Sequence, residues 1–168
     1  MDLKNASIVI TGAGSGIGAA LALGLVEFAP RLTLVGRRQQ PLDEVAVRVR
    51  QGGGQAHVVS VDLTEPGAPA AVVAAARAAY GGIDVLVNNA GNVRAGRLED
   101  IEESEVLAQV ALNLTAPILL TRAALPALRY SPQQHHRSNN QDLTRYRSAL
   151  CQAAVRWRPV VIVSRLEE

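Results

Sequence analysis

Short apolar runs alternate with longer segments of helical spacing over the first 90 residues. Continuous apolar runs are typical of strands buried on both faces, and apolar residues three to four positions apart are typical of helices. The pattern predicts strands at Ser7–Thr11, Leu32–Val35, Val58–Val61 and Ile83–Val87, with helices at Ala19–Phe28, Pro41–Arg50 and Ala68–Tyr80 between them. This alternation predicts an α/β fold of Rossmann type, with a doubly wound parallel sheet in three α/β/α layers.

The second half of the chain divides into a helical stretch and an unusual tail. Helical spacing runs from Leu98 to Arg129, and the two prolines inside it are expected to kink the helix. Residues 131–141 are polar and aperiodic, residues 143–157 regain helical spacing, and Val160–Val163 reads as a strand. We therefore expect a domain over residues 1–130 and an atypical tail over 131–168. Two alternative explanations of this tail are open. The chain is a shortened variant with a rebuilt end, or its reading frame changes near His135.

Composition narrows the class of protein. The chain has 168 residues, of which 48% are hydrophobic, so it has enough apolar material for a packed core. Cys151 is the only cysteine, which excludes an intramolecular disulfide framework, and we expect it to be a core residue. His135 and His136 have no clustered third ligand, so we expect a solvated loop there and no metal site.

Charge and hydropathy favour a cytoplasmic protein. The formal net charge is +2 with scattered basic residues, which argues against nucleic-acid binding. No leader-like segment and no unbroken apolar run of membrane-spanning length is visible, so we expect no membrane partner.

A glycine-rich loop follows the first predicted strand and precedes the first predicted helix. It reads Thr11-Gly-Ala-Gly-Ser-Gly-Ile-Gly18. Glycines let a backbone turn sharply and approach an anion closely, and a helix amino terminus favours a phosphate. A tight turn is the alternative interpretation, but the position between strand and helix favours a dinucleotide-binding loop.

Four segments together resemble the short-chain dehydrogenase/reductase family. They are the Thr-Gly-x-x-x-Gly-x-Gly loop at Thr11–Gly18, Val61-Asp62-Leu63, Asn88-Asn89-Ala90-Gly91 and Asn113-Leu114-Thr115. The resemblance extends from about Asn5 to Arg129. It implies strand order 3-2-1-4, extended by Val160–Val163, without the last strands and helices of the family.

The resemblance also implies a nicotinamide dinucleotide cofactor and its binding residues. Those residues are Thr11, Gly12, Gly14, Ser15, Gly16, Ile17, Gly18, Arg37, Arg38, Asp62, Leu63, Asn89, Ala90 and Gly91. Asp62 corresponds to a carboxylate that contacts the adenine, although this residue taken by itself favours capping of the turn after its strand. Thr11 either ends its strand or braces the asparagine loop. Asn113 corresponds to a residue of the proton relay.

The end of the second strand favours NADP(H) over NAD(H). An acidic residue there would bind the ribose 2′-hydroxyl of NAD, whereas arginine accommodates a 2′-phosphate. The chain has Arg37 and Arg38 at this place, and the alternative is that both begin a solvated helix. Ser15 weakens the preference, because the resemblance implies a basic residue there in many NADP-preferring members.

The catalytic Tyr-x-x-x-Lys motif of the family is missing from this sequence. Lys4 is the only lysine, and Gln134 and Leu150 stand where Tyr130 and Tyr146 would need one. A tyrosine with its usual pKa near 10 is a poor acid–base catalyst at neutral pH without a neighbouring cation. Tyr146 is the remaining acid–base candidate. Ser164 is either the counterpart of the substrate-orienting serine or a tail residue.

These observations predict an NAD(P)-dependent oxidoreductase of short-chain type that is impaired or inactive as this chain. If it is active, its substrate is a small carbonyl compound or alcohol. A non-catalytic dinucleotide-binding or regulatory module and a truncated product without independent function are the alternatives. Pairing of two copies through the helical stretch 98–129 is a further expectation.

Overall fold

A computed structural model describes residues 3–94, 96–129 and 161–164 of the chain. The strands in this part are β1 (Ser7–Thr11), β2 (Arg31–Gly36), β3 (Gln55–Ser60), β4 (Val85–Asn88) and β5 (Val161–Ser164). The helices are α1 (Gly16–Gly24), α2 (Gln39–Gln51), α3 (Ala68–Tyr80), α4 (Glu103–Val110) and α5 (Ala116–Arg129). Pro41 lies in the first turn of α2, as predicted, where a missing N–H costs no helical hydrogen bond.

The strands form one sheet in the order β3-β2-β1-β4-β5. β1 to β4 are parallel, and Ile10 at the centre is in register with Leu34 on one side and Val87 on the other. The predicted doubly wound arrangement and the order 3-2-1-4 are therefore confirmed. Because the four parallel strands point the same way, their carboxyl ends share one edge of the sheet.

β5 joins the sheet in the opposite direction. It pairs antiparallel with β4, so that Val161 lies opposite Asn88 and Ser164 lies opposite Val85. The expected extension of the sheet is present, but Ser164 lies at the amino end of β4, about 10 Å along the strand from its carboxyl end. A substrate-orienting serine would be expected at the carboxyl edge of the sheet, so the position of Ser164 at the amino end of β4 does not support that prediction.

Two hydrophobic layers cover the two faces of the sheet. Ile8 and Ile10 pack with α1 and α2, whereas Val9 packs on the other face with α3 and α5. Consecutive residues of β1 point to opposite faces of the sheet, and both faces are buried. The first strand is therefore a continuous apolar run. Each fully buried Leu or Ile contributes about 1.5–3 kcal/mol. This core fixes the strand ends that carry the site.

The predicted helical stretch is divided by a π-helical turn. A 3₁₀ turn at Leu98–Asp100 precedes α4, and residues Ala111–Thr115 form the π turn before α5. Pro117, the second residue of α5, has no backbone N–H to donate to the Asn113 carbonyl in an α-helical bond, which is consistent with the π turn at this place. Pro126 lies inside α5.

The stretch from α4 to α5 exposes a stripe of apolar side chains. Leu107, Val110, Leu114 and Ile118 follow one another three or four residues apart, and each is 46–60% exposed. By length and composition, Glu103–Leu128 is also apolar enough to cross a membrane. One such helix is a weak indication, because core helices of soluble proteins meet the same criterion.

Candidate functional site

A cleft of about 510 Å³ lies at the carboxyl ends of the parallel strands. Most of the residues predicted to bind a cofactor line it, although they come from distant parts of the sequence. Those that do so are Gly12, Gly14, Ser15, Gly16, Ile17, Arg37, Arg38, Asp62, Leu63, Asn89, Ala90 and Gly91. The fold thus brings the glycine loop, the arginine pair and the asparagine loop around one space.

Thr11 lies behind the cleft wall. Its hydroxyl donates to the Val87 carbonyl at 3.3 Å and accepts hydrogen bonds from the backbone N–H groups of Asn89 and Ala90, both at 2.9 Å. The side chain is buried, with 1% exposed. Thr11 therefore joins β1 to the asparagine loop, which is the bracing role that the sequence suggested.

The glycine loop requires its glycines for two different reasons. Gly12 and Gly16 have φ values of +65° and +55°, which side chains rarely adopt. Gly18 instead packs closely in α1, where a Cβ would lie 2.4 Å from the Gly12 carbonyl oxygen. Gly18 is therefore buried support for the loop and does not line the cleft.

The amino terminus of α1 faces the cleft in a form suited to an anion. Ser15 is the N-cap residue, and its side chain makes no capping hydrogen bond. A Cβ on Gly16 would meet nothing within 4 Å, so the backbone there borders open space. Free N–H groups and the helix dipole at such a terminus favour a phosphate group.

Asn89 carries an unpaired polar atom at the cleft. Its Nδ2 donates to the carbonyls of Thr11 at 2.9 Å and Gly12 at 3.4 Å. Its Oδ1 is buried and has no hydrogen-bond partner among the described residues. A buried unpaired acceptor costs about 1–3 kcal/mol, so this atom suits a donor that enters the cleft. The glycine cradle and this atom fit a dinucleotide.

Arg37 and Asp62 face each other across one end of the cleft. The Arg37 Nη1 atom lies 3.6 Å from the Asp62 Oδ2 atom, and the two side chains are 68% and 32% exposed. Arg38 follows as the N-cap residue of α2. The two arginines therefore precede a helix and also line the cleft.

Asp62 combines a structural contact with its place in the cleft. Its Oδ1 accepts hydrogen bonds from the backbone N–H of Thr64 at 2.9 Å and from the Thr64 hydroxyl at 2.7 Å. The backbone bond, then the hydroxyl bond, and to a lesser extent Arg37, lower the pKa of Asp62. The turn-capping role is therefore present, and the carboxylate is ionised at neutral pH.

Asn113 holds a loop beside the cleft. Its Oδ1 accepts from the Asn92 N–H at 2.9 Å, and its Nδ2 donates to the Asn92 carbonyl at 2.6 Å. One helical turn earlier, Gln109 accepts from the Arg94 N–H at 3.1 Å. The Asn113 side chain is thus committed to the backbone after Gly91 and does not line the cleft.

Five cleft residues were not identified from the sequence. They are Gly36, Pro41, Leu42, Val61 and Leu112. Gly36 ends β2 and Val61 directly follows β3, so the predicted strand ends could have identified both as cleft residues. Pro41 approaches the glycine loop closely, since a Cβ on Gly14 would lie 3.2 Å from the Pro41 Cβ. This contact depends on packing that no local pattern reveals.

Several sequence candidates lie outside the described residues. Tyr146, His135, His136 and Cys151 belong to this group. Within the part that the structure describes, no three His, Cys, Asp or Glu side chains are grouped as metal ligands would be.

Comparison with known proteins identifies the class. The family model described as short chain dehydrogenase matches residues 6–136. The fold, the glycine loop and the asparagine loop agree with this match. The chain belongs to the short-chain dehydrogenase/reductase family.

Curated relatives are similar over most of this chain but are much longer. An uncharacterized oxidoreductase of Mycobacterium tuberculosis is 34% identical over 120 residues, which is 71% of this chain and 46% of the relative. Dehydrogenase/reductase SDR family member 7B of Mus musculus is 35% identical over 137 residues, which is 79% of this chain and 42% of the relative. The chain thus spans slightly less than half the length of these relatives.

Solved structures of the family have the same fold. The NADH-dependent reductase A1-R′ in complex with NAD is 31% identical with a TM-score of 0.70, over 76% of this chain and 54% of that one. L-sorbose reductase from Gluconobacter frateurii, in complex with NADPH and L-sorbose, is 32% identical with a TM-score of 0.69, over 76% of this chain and 49% of that one. Family members therefore bind either dinucleotide.

Proposed function

We propose that this chain binds a nicotinamide dinucleotide in the cleft and prefers NADP(H) to NAD(H). The observation that carries the proposal is the meeting of an uncapped helix amino terminus and a guanidinium pair at one cleft. The amino terminus of α1 suits the diphosphate of either cofactor. The guanidinium groups of Arg37 and Arg38 suit a 2′-phosphate, and the sequence has no carboxylate at the end of β2 that would repel it.

Each part of the cofactor has candidate partners in the chain. The loop from Gly12 to Ile17 would hold the diphosphate, with Gly18 supporting it from behind, and Asp62 with Leu63 would border the adenine. Arg37 and Arg38 would hold the 2′-phosphate. Bound nicotinamide supplies hydride transfer to or from a carbonyl or alcohol carbon. Ala90 and Gly91, with the unpaired Oδ1 of Asn89 behind them, border the other part of the cleft.

We also propose that this chain turns over a carbonyl or alcohol substrate slowly or not at all. Its only lysine, Lys4, precedes β1 and so lies at the amino edge of the sheet, opposite the cleft. The length of β1 alone separates the two edges by about 13 Å, which is too far for the Lys4 ammonium group to lower the pKa of a tyrosine in the cleft. This observation favours the second candidate function, a dinucleotide-binding or regulatory module without catalysis.

Fluorescence titration with NADPH and NADH tests the binding proposal. We expect saturable binding of both and about tenfold tighter binding of NADPH, equivalent to about 1.4 kcal/mol. The variant Arg37→Gln should lose most of that preference, whereas Arg48→Gln, on the exposed side of α2 and away from the cleft, should keep it. The absence of saturable binding of either nucleotide would refute the proposal.

Consumption of NADPH in the presence of a panel of small carbonyl compounds tests the catalytic part. We expect rates close to the background without protein. Rapid turnover that is abolished by Tyr146→Phe would contradict the impaired assignment and would make Tyr146 the acid–base residue.

Self-association through the apolar stripe of Leu107, Val110, Leu114 and Ile118 is part of the proposal. A contiguous exposed apolar surface is typical of an interface, and a second copy offers a matching stripe. Sedimentation should show a dimer that Leu114→Lys dissociates; a monomer at all concentrations would refute this.

A further inference from the structure

We propose that Asp62 opposes binding of a 2′-phosphate at Arg37 and so limits the preference of this chain for NADP(H). The inference rests on the proposed function and adds a second determinant of cofactor selectivity. It starts from the contact between the Asp62 carboxylate and the Arg37 guanidinium at the edge of the cleft.

The carboxylate is the fixed member of this pair. Its Oδ1 is held by the two hydrogen bonds from Thr64, at 2.9 and 2.7 Å. The Arg37 side chain is 68% exposed, and Asp62 is its ion-pair partner among the residues that the structure describes. The Arg37 backbone carbonyl accepts a hydrogen bond from the Ser60 hydroxyl at 3.1 Å. A phosphate that draws the guanidinium toward itself therefore leaves the negative charge of Asp62 in place.

Charge decides the direction of the effect. A 2′-phosphate held by the same guanidinium that contacts Asp62 would be close enough to the carboxylate that salt, with a Debye length of about 8 Å at physiological strength, would screen their repulsion only in part. Two like charges at this distance oppose each other, and a phosphate near neutral pH carries close to two charges. The exposed Arg37–Asp62 ion pair itself contributes little, so the ordering of Arg37 by Asp62 is the smaller effect.

The variant Asp62→Asn isolates the charge. An asparagine keeps the side-chain oxygen that accepts from Thr64, so the turn is retained while the charge is removed. Any loss of adenine contact affects NADPH and NADH equally, because they share the adenine. The ratio of the two dissociation constants therefore reports the 2′-phosphate alone.

The experiment measures the ratio of the dissociation constant of NADH to that of NADPH. We expect Asp62→Asn to raise this ratio threefold to tenfold over the wild-type chain at 0.05 M salt, and 0.5 M salt to remove most of the increase. The control Asp100→Asn has the same change in net charge on an exposed residue outside the cleft, and should leave the ratio unchanged. The pair 2′,5′-ADP and 5′-ADP should repeat the result without nicotinamide.

An unchanged ratio in Asp62→Asn, with measurable binding of both cofactors, would overturn the inference and leave the proposed function standing. A lower ratio would overturn it as well, because Asp62 would then position Arg37 for the phosphate. Failure of the wild-type chain to bind either cofactor would overturn the proposed function, and this inference with it.

Discussion

Replacement of Gly18 by alanine tests how closely α1 must approach the glycine loop. The added Cβ would lie 2.4 Å from the Gly12 carbonyl oxygen and 2.6 Å from the Asn89 Nδ2 atom. Neither neighbour can retreat freely, because one is backbone and the other donates to the Thr11 carbonyl at 2.9 Å. Helix α1 must therefore move away from the loop, or the contact between Asn89 and the loop must break.

The expected cost follows from two opposing effects. Overpacking of this severity costs up to about 3 kcal/mol, and alanine recovers about 1 kcal/mol over glycine in a helix. Gly18→Ala should therefore lower the free energy of unfolding by about 2 kcal/mol. For a chain of this size that loss corresponds to a Tm decrease of about 4–8 °C. Dinucleotide affinity should fall at least tenfold, since the loop and the helix amino terminus separate.

Gly24 offers a matched control at the end of the same helix. A Cβ there meets nothing within 4 Å, so Gly24→Ala should leave binding intact and raise the stability by up to about 1 kcal/mol. Urea unfolding followed by circular dichroism, with NADPH titration of each variant, measures both effects. Equal stability of the two variants, or unchanged binding by Gly18→Ala, would show that the close approach is not required.

Two further substitutions probe the loop beside the cleft and the opposite edge of the sheet. Asn113→Ala should cost about 1–2 kcal/mol and expose the Asn92 amide to hydrogen exchange. The control Leu119→Ala, at an exposed residue outside the apolar stripe, should do neither, and equal protection of the Asn92 amide in both variants would contradict its clamping by Asn113. Burial raises the pKa of Tyr80 above its usual 10.0. The contribution of the neutral Tyr80 side chain to stability is therefore complete below pH 10 and is lost as the pH rises through the folded-state pKa. Tyr80→Phe removes the hydrogen bond that the Tyr80 hydroxyl donates to the Leu32 carbonyl at 3.3 Å, and should therefore be less stable than the wild-type chain at pH 8. Because only the tyrosine ionises, the difference should narrow above pH 10 in urea titrations, and a constant difference would refute this.

Element types were accessible from the sequence because they depend on local periodicity and turn chemistry. The alternation of buried runs and helical spacing predicted β1 to β4 and α1 to α3. Boundaries were less accurate at the sheet edge. The third strand was expected at Val58–Val61 and is found at Gln55–Ser60, because an edge strand exposes polar residues such as His57 that do not read as a buried run.

The sequence predicts which residues form the site but not the contacts between them. The glycine loop, Arg37, Asp62 and Asn89 each stand after a predicted strand, and parallel strands bring such residues to one edge. The contact between Arg37 and Asp62, and the unpaired Oδ1 of Asn89, carry no sequence signal. They depend on how far the loops extend once the strands are in register.

The sequence by itself determined the family, the parallel order of β1 to β4, and the absence of a Tyr-x-x-x-Lys motif. Each of these depends only on which residue types occur at which spacing along the chain. Only the tertiary structure decided the direction of β5, which places Ser164 opposite Val85. It also decided that Thr11 and Gly18 support the cleft while Gly36 and Leu112 line it. The reason is physical: contacts between residues more than 70 positions apart arise from packing of the whole sheet, which no local pattern encodes.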